Sequence, residues 1–246
     1  MVCAVTDPRT AVLYNDEFAP ITSSIGFLAS PLDEVADGLQ RWRAEIHGSA
    51  ERIPVDGGLI ENVHRLEPLT GGVCPRELLV ATSNPEWTAV FDCGVDGGDQ
   101  VTTVGYLART LHVQGVVVTA IPDRIADGQR ADRYGALQFE LFAPIMTEFL
   151  NYLRTVSLVR EGTRWRFDAS GTVRAYEDVS AYQARKIRER FTLEMLQKYA
   201  MSLGIDVFNE SFYPGPSCLV VNPAMPPNDG LSLSLADTRR QFDLGA

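Results

Sequence analysis

The sequence predicts an α+β fold: a mixed, mostly antiparallel sheet with helices packed on one side. Two β-rich pairs carry this expectation. Residues 77–82 and 87–92 flank the turn-forming Ser83-Asn84-Pro85-Glu86, and residues 155–160 and 164–169 flank Glu161-Gly162-Thr163. Between and around them run amphipathic stretches at helical spacing. The composition agrees, because 246 residues with 45% hydrophobic and 22% charged side chains suffice for a sizeable core. One domain over residues 1–246 is the simplest division. A tandem of two related α+β halves, 1–150 and 151–246, is the alternative, since each half would hold a hairpin, a helix and a further strand.

Taken in order, residues 21–28 read as a strand with Ile21, Ile25 and Phe27 on one face. Ser30-Pro31 predicts an N-cap and first helical residue, Leu32, Val35, Leu39, Trp42 and Ile46 mark the buried stripe, and Gly48 is the stop. A second helix is expected from Leu59 through Leu69, ending at Gly71-Gly72. After the 77–92 hairpin, Val101, Val104, Leu107, Ala108 and Leu111 mark a helix. The continuous apolar run 116–121 follows as a strand buried on both faces, so that strand, helix and strand read as a right-handed βαβ crossover. Residues 123–132 are a polar loop and 134–142 an alternating strand. In the second hairpin Trp165 and Phe167 share one face. A long helix is expected over 180–203, broken near Thr192, whose hydroxyl caps the second part. Residues 218–221 form a short strand, and Ser234 to Asp237 has the spacing of a capping box for a terminal helix.

Other classes are excluded by what is missing. The first residues have no basic region leading into an apolar stretch, and no apolar run approaches the ~18 residues of a membrane span, so the expectation is an unexported cytoplasmic chain. Cys3, Cys74, Cys93 and Cys218 form no CxxC pair, which suits reduced thiols. Only Lys186 and Lys198 among the 22 basic residues are lysine; that skew points to a GC-rich bacterial genome.

Few motifs suggest chemistry. The stretch 91–100 joins a strand to a helix and is rich in glycine and aspartate, but it lacks the lysine of a phosphate-binding loop. Asp92, Asp96 and Asp99 offer oxygens to Mg²⁺ or Ca²⁺, without the alternation of an EF-hand; as an ordinary turn, the same stretch would use Asp99 as the helix N-cap. Cys93 invites a nucleophile role with His112 or His64 as base, against the commoner role of a buried structural thiol. His47, His64 and His112 are isolated, so zinc has no ligand set. With 32 carboxylates, pairs such as Glu140 with Glu148, or Asp33 with Glu34, carry no distinguishing spacing.

The charge distribution carries more. Residues 180–200 hold Arg185, Lys186, Arg188, Arg190 and Lys198 against Glu189 and Glu194, a net of +3 in a chain of −10. As a helix, this segment turns Ala184, Ile187, Phe191 and Met195 inward and Arg185, Arg188 and Arg190 outward. Residues 83–108 carry Glu86, Asp92, Asp96 and Asp99 with no basic residue. An acidic chain disfavours nucleic acid and anionic membranes and favours a basic partner. The expectation is a non-enzymatic binding protein with an acidic recognition surface at Asp92, Asp96 and Asp99, anchored by Trp87 and Tyr106. Bacterial toxin-immunity proteins share this acidic, motif-poor character, a likeness of composition alone. The alternatives are a metal-dependent enzyme using the same three aspartates and a homo-oligomeric structural protein.

Overall fold

The computed structural model describes residues 12–98, 100–123, 134–223 and 231–244. Its centre is a nine-stranded sheet. In chain order the strands are β1 (Ser24–Leu28), β2 (Glu51–Val55), β4 (Arg76–Ala81), β5 (Thr88–Asp92), β6 (Gly115–Ile121), β7 (Ala136–Phe142), β8 (Tyr152–Glu161), β9 (Arg164–Gly171) and β10 (Ser217–Val221). Across the sheet the order is β2-β10-β4-β5-β1-β6-β7-β8-β9, with every neighbouring pair antiparallel. A two-residue strand β3 (Leu69–Thr70) pairs separately with β11 (Ser232–Leu233). The central strands are the near-continuous apolar runs: β5 is buried throughout and β6 over all but its last residue, because protein covers both faces there.

One face is covered by the two longest helices. α1 (Leu32–His47) lies over β10 and β4, and α3 (Gln100–Thr110) over β1 and β6. Val35, Leu39, Trp42, Val104 and Leu107 meet Leu28, Leu79, Val90, Val117 and Val220 there. The opposite face carries the larger core, in which Phe27, Leu78, Phe91, Val116, Phe139 and Val156 meet short elements. These are α2 (Leu59–Asn62), α4 (Leu193–Met201), α5 (Leu235–Gln241) and connecting 3-10 turns. The two longest helices therefore share one side, while the shorter helices and irregular chain cover the other. Gly26 permits the close approach of α3: a Cβ there would lie 2.5 Å from Val104 Cγ2.

Most local expectations hold, with shifted ends. α1 stops at Gly48, which is left-handed at φ 85° and donates its N–H to Ala44. Its N-cap is Pro31 in an extended conformation, one residue later than expected, while the Ser30 hydroxyl donates to Glu34. The 77–92 and 155–169 hairpins form as β4–β5 and β8–β9. Thr192 caps α4 and Ser234 caps α5 through their hydroxyls.

The strand–helix–strand crossover is present: β5 and β6 run parallel in one sheet, linked by α3, with β1 lying between them and bonding both. Two expectations are corrected. The second helix is short: α2 passes into a 3-10 turn at Val63–Leu66 and ends there, because Glu67, preceding Pro68, is extended (ψ 147°). The helix expected over 180–191 does not form, so Arg185, Arg188 and Arg190 share no helix face. The segment is two 3-10 turns, Ala181–Gln183 and Ile187–Glu189, separated by extended backbone at Ala184 and Lys186. Arg190 Nε donates to the Ala184 carbonyl, Arg188 stacks over Trp165 at 5.0 Å, and Phe191 turns fully into the core. The polar loop expected over 123–132 lies outside the described residues beyond Asp123, whose carboxylate accepts from Arg160 at 2.8 Å.

Candidate functional site

Past α3 the described residues leave the helix-bearing face of the sheet uncovered, and its floor is polar. Strand register sets side chains on that face in rows. One row runs Ser24, Thr119, Gln138, Ser157, Asp168; the next runs Gly26, Val117, Glu140, Thr155, Ser170. The alternation in β7, β8 and β9 thus separates a polar outer face from Phe139, Val156 and Leu158 in the core behind. Within the floor Ser24 meets Thr119 at 3.0 Å and Thr155 meets Ser170 at 2.7 Å, hydroxyl to hydroxyl.

The β7–β8 connection raises a wall beside this floor. Buried Asn151 pins it, donating from Nδ2 to Gly105 of α3 at 2.9 Å and to Ala143 at 3.0 Å. The Thr147 hydroxyl donates to the carbonyl of Tyr152 at 3.0 Å. Phe149 stacks on Tyr152 (5.8 Å, 23°), and Tyr152 packs on Phe142. The tip of the wall is apolar and exposed, with Ile145 at 64%, Met146 at 53%, Phe149 at 70% and Leu150 at 56% exposure. Scattered surface apolar residues are ordinary, but four exposed within one six-residue segment are a concentration of the kind that marks interaction surfaces.

Floor and wall enclose a groove of about 750 Å³, lined by Gln138, Glu140, Thr155, Ser157 and Ser170 below and by Glu148, Phe149 and Tyr152 at the side. A smaller hollow of about 230 Å³ shares Gln138 and Glu140 and reaches Asp96 at the tip of the 92–98 turn. Among the described residues lining the groove, Arg154 alone is basic, and its guanidinium serves the other face of the sheet. There it binds Glu177 at 2.7 Å, both side chains being almost fully buried. Burial pushes the Glu177 carboxyl up, yet hydrogen bonds from Arg154, the Tyr182 hydroxyl and the Arg174 amide hold it below its ordinary value. Glu140 and Glu148 line the groove, and Asp96 lines the adjoining hollow.

The residues singled out in the sequence are dispersed. Trp87 is buried and donates its indole N–H to the Leu203 carbonyl at 2.9 Å, and it sits at the end of β5 away from Asp92. Tyr106 stacks on Trp42 of α1 at 4.3 Å. Asp92 is buried and organises its own loop, accepting from the Gly94 N–H at 2.9 Å and from Gln100 at 3.1 Å. Of the three aspartates only Asp96 is exposed within the described residues, and Asp99 lies outside them. No group of three His, Cys, Asp or Glu side chains among the described residues is placed to hold a metal ion. His64 pairs with Glu67 and packs edge-on to Phe18, while the sulfur of Cys93 lies 3.6 Å from the Thr70 hydroxyl.

The sequence offers Glu140 and Glu148 only as one undistinguished carboxylate pair and does not single out Phe149 or Tyr152. The polar alternation of residues 134–142 was a signal for one open face, but nothing local says that the 143–151 segment folds over it. No protein-family model, curated protein or solved structure matches the chain. The groove itself is therefore the basis for a functional reading. Among the described residues no helix is long and apolar enough to cross a membrane.

Proposed function

We propose that the protein is a non-enzymatic cytoplasmic binding protein that docks a basic protein partner, as toxin-immunity proteins do. The recognition surface is the groove over β7–β9, with Glu140, Glu148 and Asp96 as the acidic groups and the Ile145-to-Leu150 tip as the apolar anchor. One observation carries the reading: Glu140, Glu148 and the exposed Phe149 line one groove, beside the exposed Ile145, Met146 and Leu150 of the same loop. Aromatic and aliphatic anchors beside complementary charge are the usual composition of a protein interface. The hydroxyls of the floor bond one another, which suits a surface that reads polar backbone and side chains.

The test uses the full chain as bait in its bacterial host lysate, beside Glu140→Lys/Glu148→Lys and Phe149→Ser variants. A basic protein retained by the wild type, lost by both variants and released as salt rises from about 0.1 to 0.5 M supports the reading, because screening shortens from about 10 Å as ionic strength rises. Equal retention by the variants, or binding indifferent to salt, overturns it. Light scattering adds a separate outcome: a dimer that Phe149→Ser dissociates would assign the tip to a second copy of this chain instead.

A further inference from the structure

The two margins of the nine-stranded sheet are built differently. β2 has five residues with Pro54 among them, the short, proline-bearing form that discourages pairing. β9 has eight residues from Arg164 to Gly171, no proline, and a register with β8 that runs without a shift. Two hydrogen bonds fix which way its backbone groups point. The Thr172 N–H donates to the Leu153 carbonyl, and the Arg160 N–H donates to the carbonyl of Gly135, just ahead of β7. Odd-numbered residues of β8 therefore bond β9 and even-numbered ones bond β7, because a strand sends alternate backbone groups to opposite neighbours. Through the register, Arg164, Arg166, Asp168 and Ser170 bond β8, while Trp165, Phe167 and Ala169 turn their N–H and C=O groups outward. Among the described residues nothing donates to or accepts from those outward groups.

We propose that two copies of this chain join through β9 into one continuous antiparallel sheet. The edge is complementary to itself. A two-fold axis beside Phe167, normal to the sheet, sets β9 antiparallel to β9 of the second copy. Phe167 then faces Phe167 and Trp165 faces Ala169, as pairs whose outward N–H and C=O groups bond each other. The pairs between them set Arg166 opposite Asp168 of the second copy, once in each direction, and Arg164 opposite Ser170. These are the non-hydrogen-bonded pairs, in which side chains come closest, so each Arg166 meets a carboxylate and no like charges face each other. Both charges are available for it. Asp168 is exposed and pairs with no cation among the described residues, and Arg166 reaches Glu161 only at 3.7 Å, with both side chains exposed. A strand of another protein could take the same backbone bonds, but the order Arg166, Phe167, Asp168 matches its own reverse in charge. The axis puts both open faces on one side, so the two grooves flank the seam.

Light scattering on the full chain over a dilution series should give twice the mass of one chain at high concentration. Arg166→Asp sets aspartate opposite Asp168, and Asp168→Arg sets arginine opposite Arg166, so each variant alone should be monomeric. Mixed, the two variants restore both opposite-charge pairs and should form a heterodimer, which a misfolded variant could not do. Hydrogen exchange should be slow at the Trp165, Phe167 and Ala169 amides of the wild type and faster in either variant alone. Glu140→Lys/Glu148→Lys and Phe149→Ser lie off this edge and should leave the dimer intact, whatever becomes of the basic partner. A monomer at every concentration, a dimer that both single variants keep, a mixture that stays monomeric, or a dimer lost with Phe149→Ser would each overturn the proposal.

Discussion

Replacing Arg154 with methionine should destabilise the protein by about 3–5 kcal/mol at neutral pH, the range for removing one partner of a buried ion pair. The structure places it in that range. Arg154 Nε and Nη2 donate to Glu177 at 2.9, 3.2 and 2.7 Å, and the two side chains are 4% and 1% exposed. Methionine fills much of the same volume, so the loss isolates charge pairing from cavity formation. Glu177 retains the Tyr182 hydroxyl at 2.7 Å and the Arg174 N–H at 2.8 Å, which favours the lower end of the range. With a urea m-value of about 1–3 kcal/mol/M, the midpoint should fall by at least ~1 M at unchanged m. The pH dependence supplies a sign. In the wild type the folded pKa of Glu177 is depressed, so its contribution is present above the ordinary carboxylate range and is lost as pH falls through the folded value. In the variant burial dominates and raises that pKa, so protonation relieves the buried charge. The gap between variant and wild type should therefore narrow on acidification below about pH 4–5. Glu177→Gln added to Arg154→Met should recover part of the loss. A deficit under ~1 kcal/mol, or one that widens as pH falls, would refute the argument.

Three further outcomes test other parts of the molecule. Gly98→Ala should lower the melting temperature, since φ is +77° and a Cβ would lie 2.0 Å from Asp92 Oδ1; the left-handed conformation alone costs about 1–2 kcal/mol. Thr192→Ala removes the cap on the Met195 N–H and should cost about 1 kcal/mol in urea unfolding. Trp87→Phe should cost about 1–3 kcal/mol by leaving the Leu203 carbonyl without its donor, while retention of a basic partner on the affinity matrix stays unchanged.

Much of the local structure was legible because it depends on neighbours in the chain. The stripe Val35, Leu39 and Trp42 with Gly48 beyond it needs only helical periodicity and one left-handed residue, and α1 follows. The turn 83–86 and the glycine turn at 162 likewise identify hairpins whose partners are adjacent in sequence. Residues 180–191 had a helical stripe as well. There distant packing prevailed: the Tyr182 hydroxyl bonds Glu177 and Tyr199, and Phe191 enters the core, with extended backbone between them.

The candidate site lay beyond that reach. Trp87 resembled a surface anchor beside an acidic loop, but a carbonyl 116 residues away accepts its indole N–H, and no local pattern encodes such a contact. Glu140 and Glu148 were two carboxylates among 32 until strand register aimed one along the floor and Asn151 pinned the loop bearing the other above it. By itself the sequence determined the α+β class, the main helices and hairpins, and the acidic balance, all of which depend on composition and on periods of two and 3.6 residues. Only the tertiary structure decided that β10 lies between β2 and β4, that β1 separates β5 from β6, and that the acidic groups gather on the open face. Those outcomes depend on pairing between segments far apart in the chain, where burial of whole sheet faces selects the register.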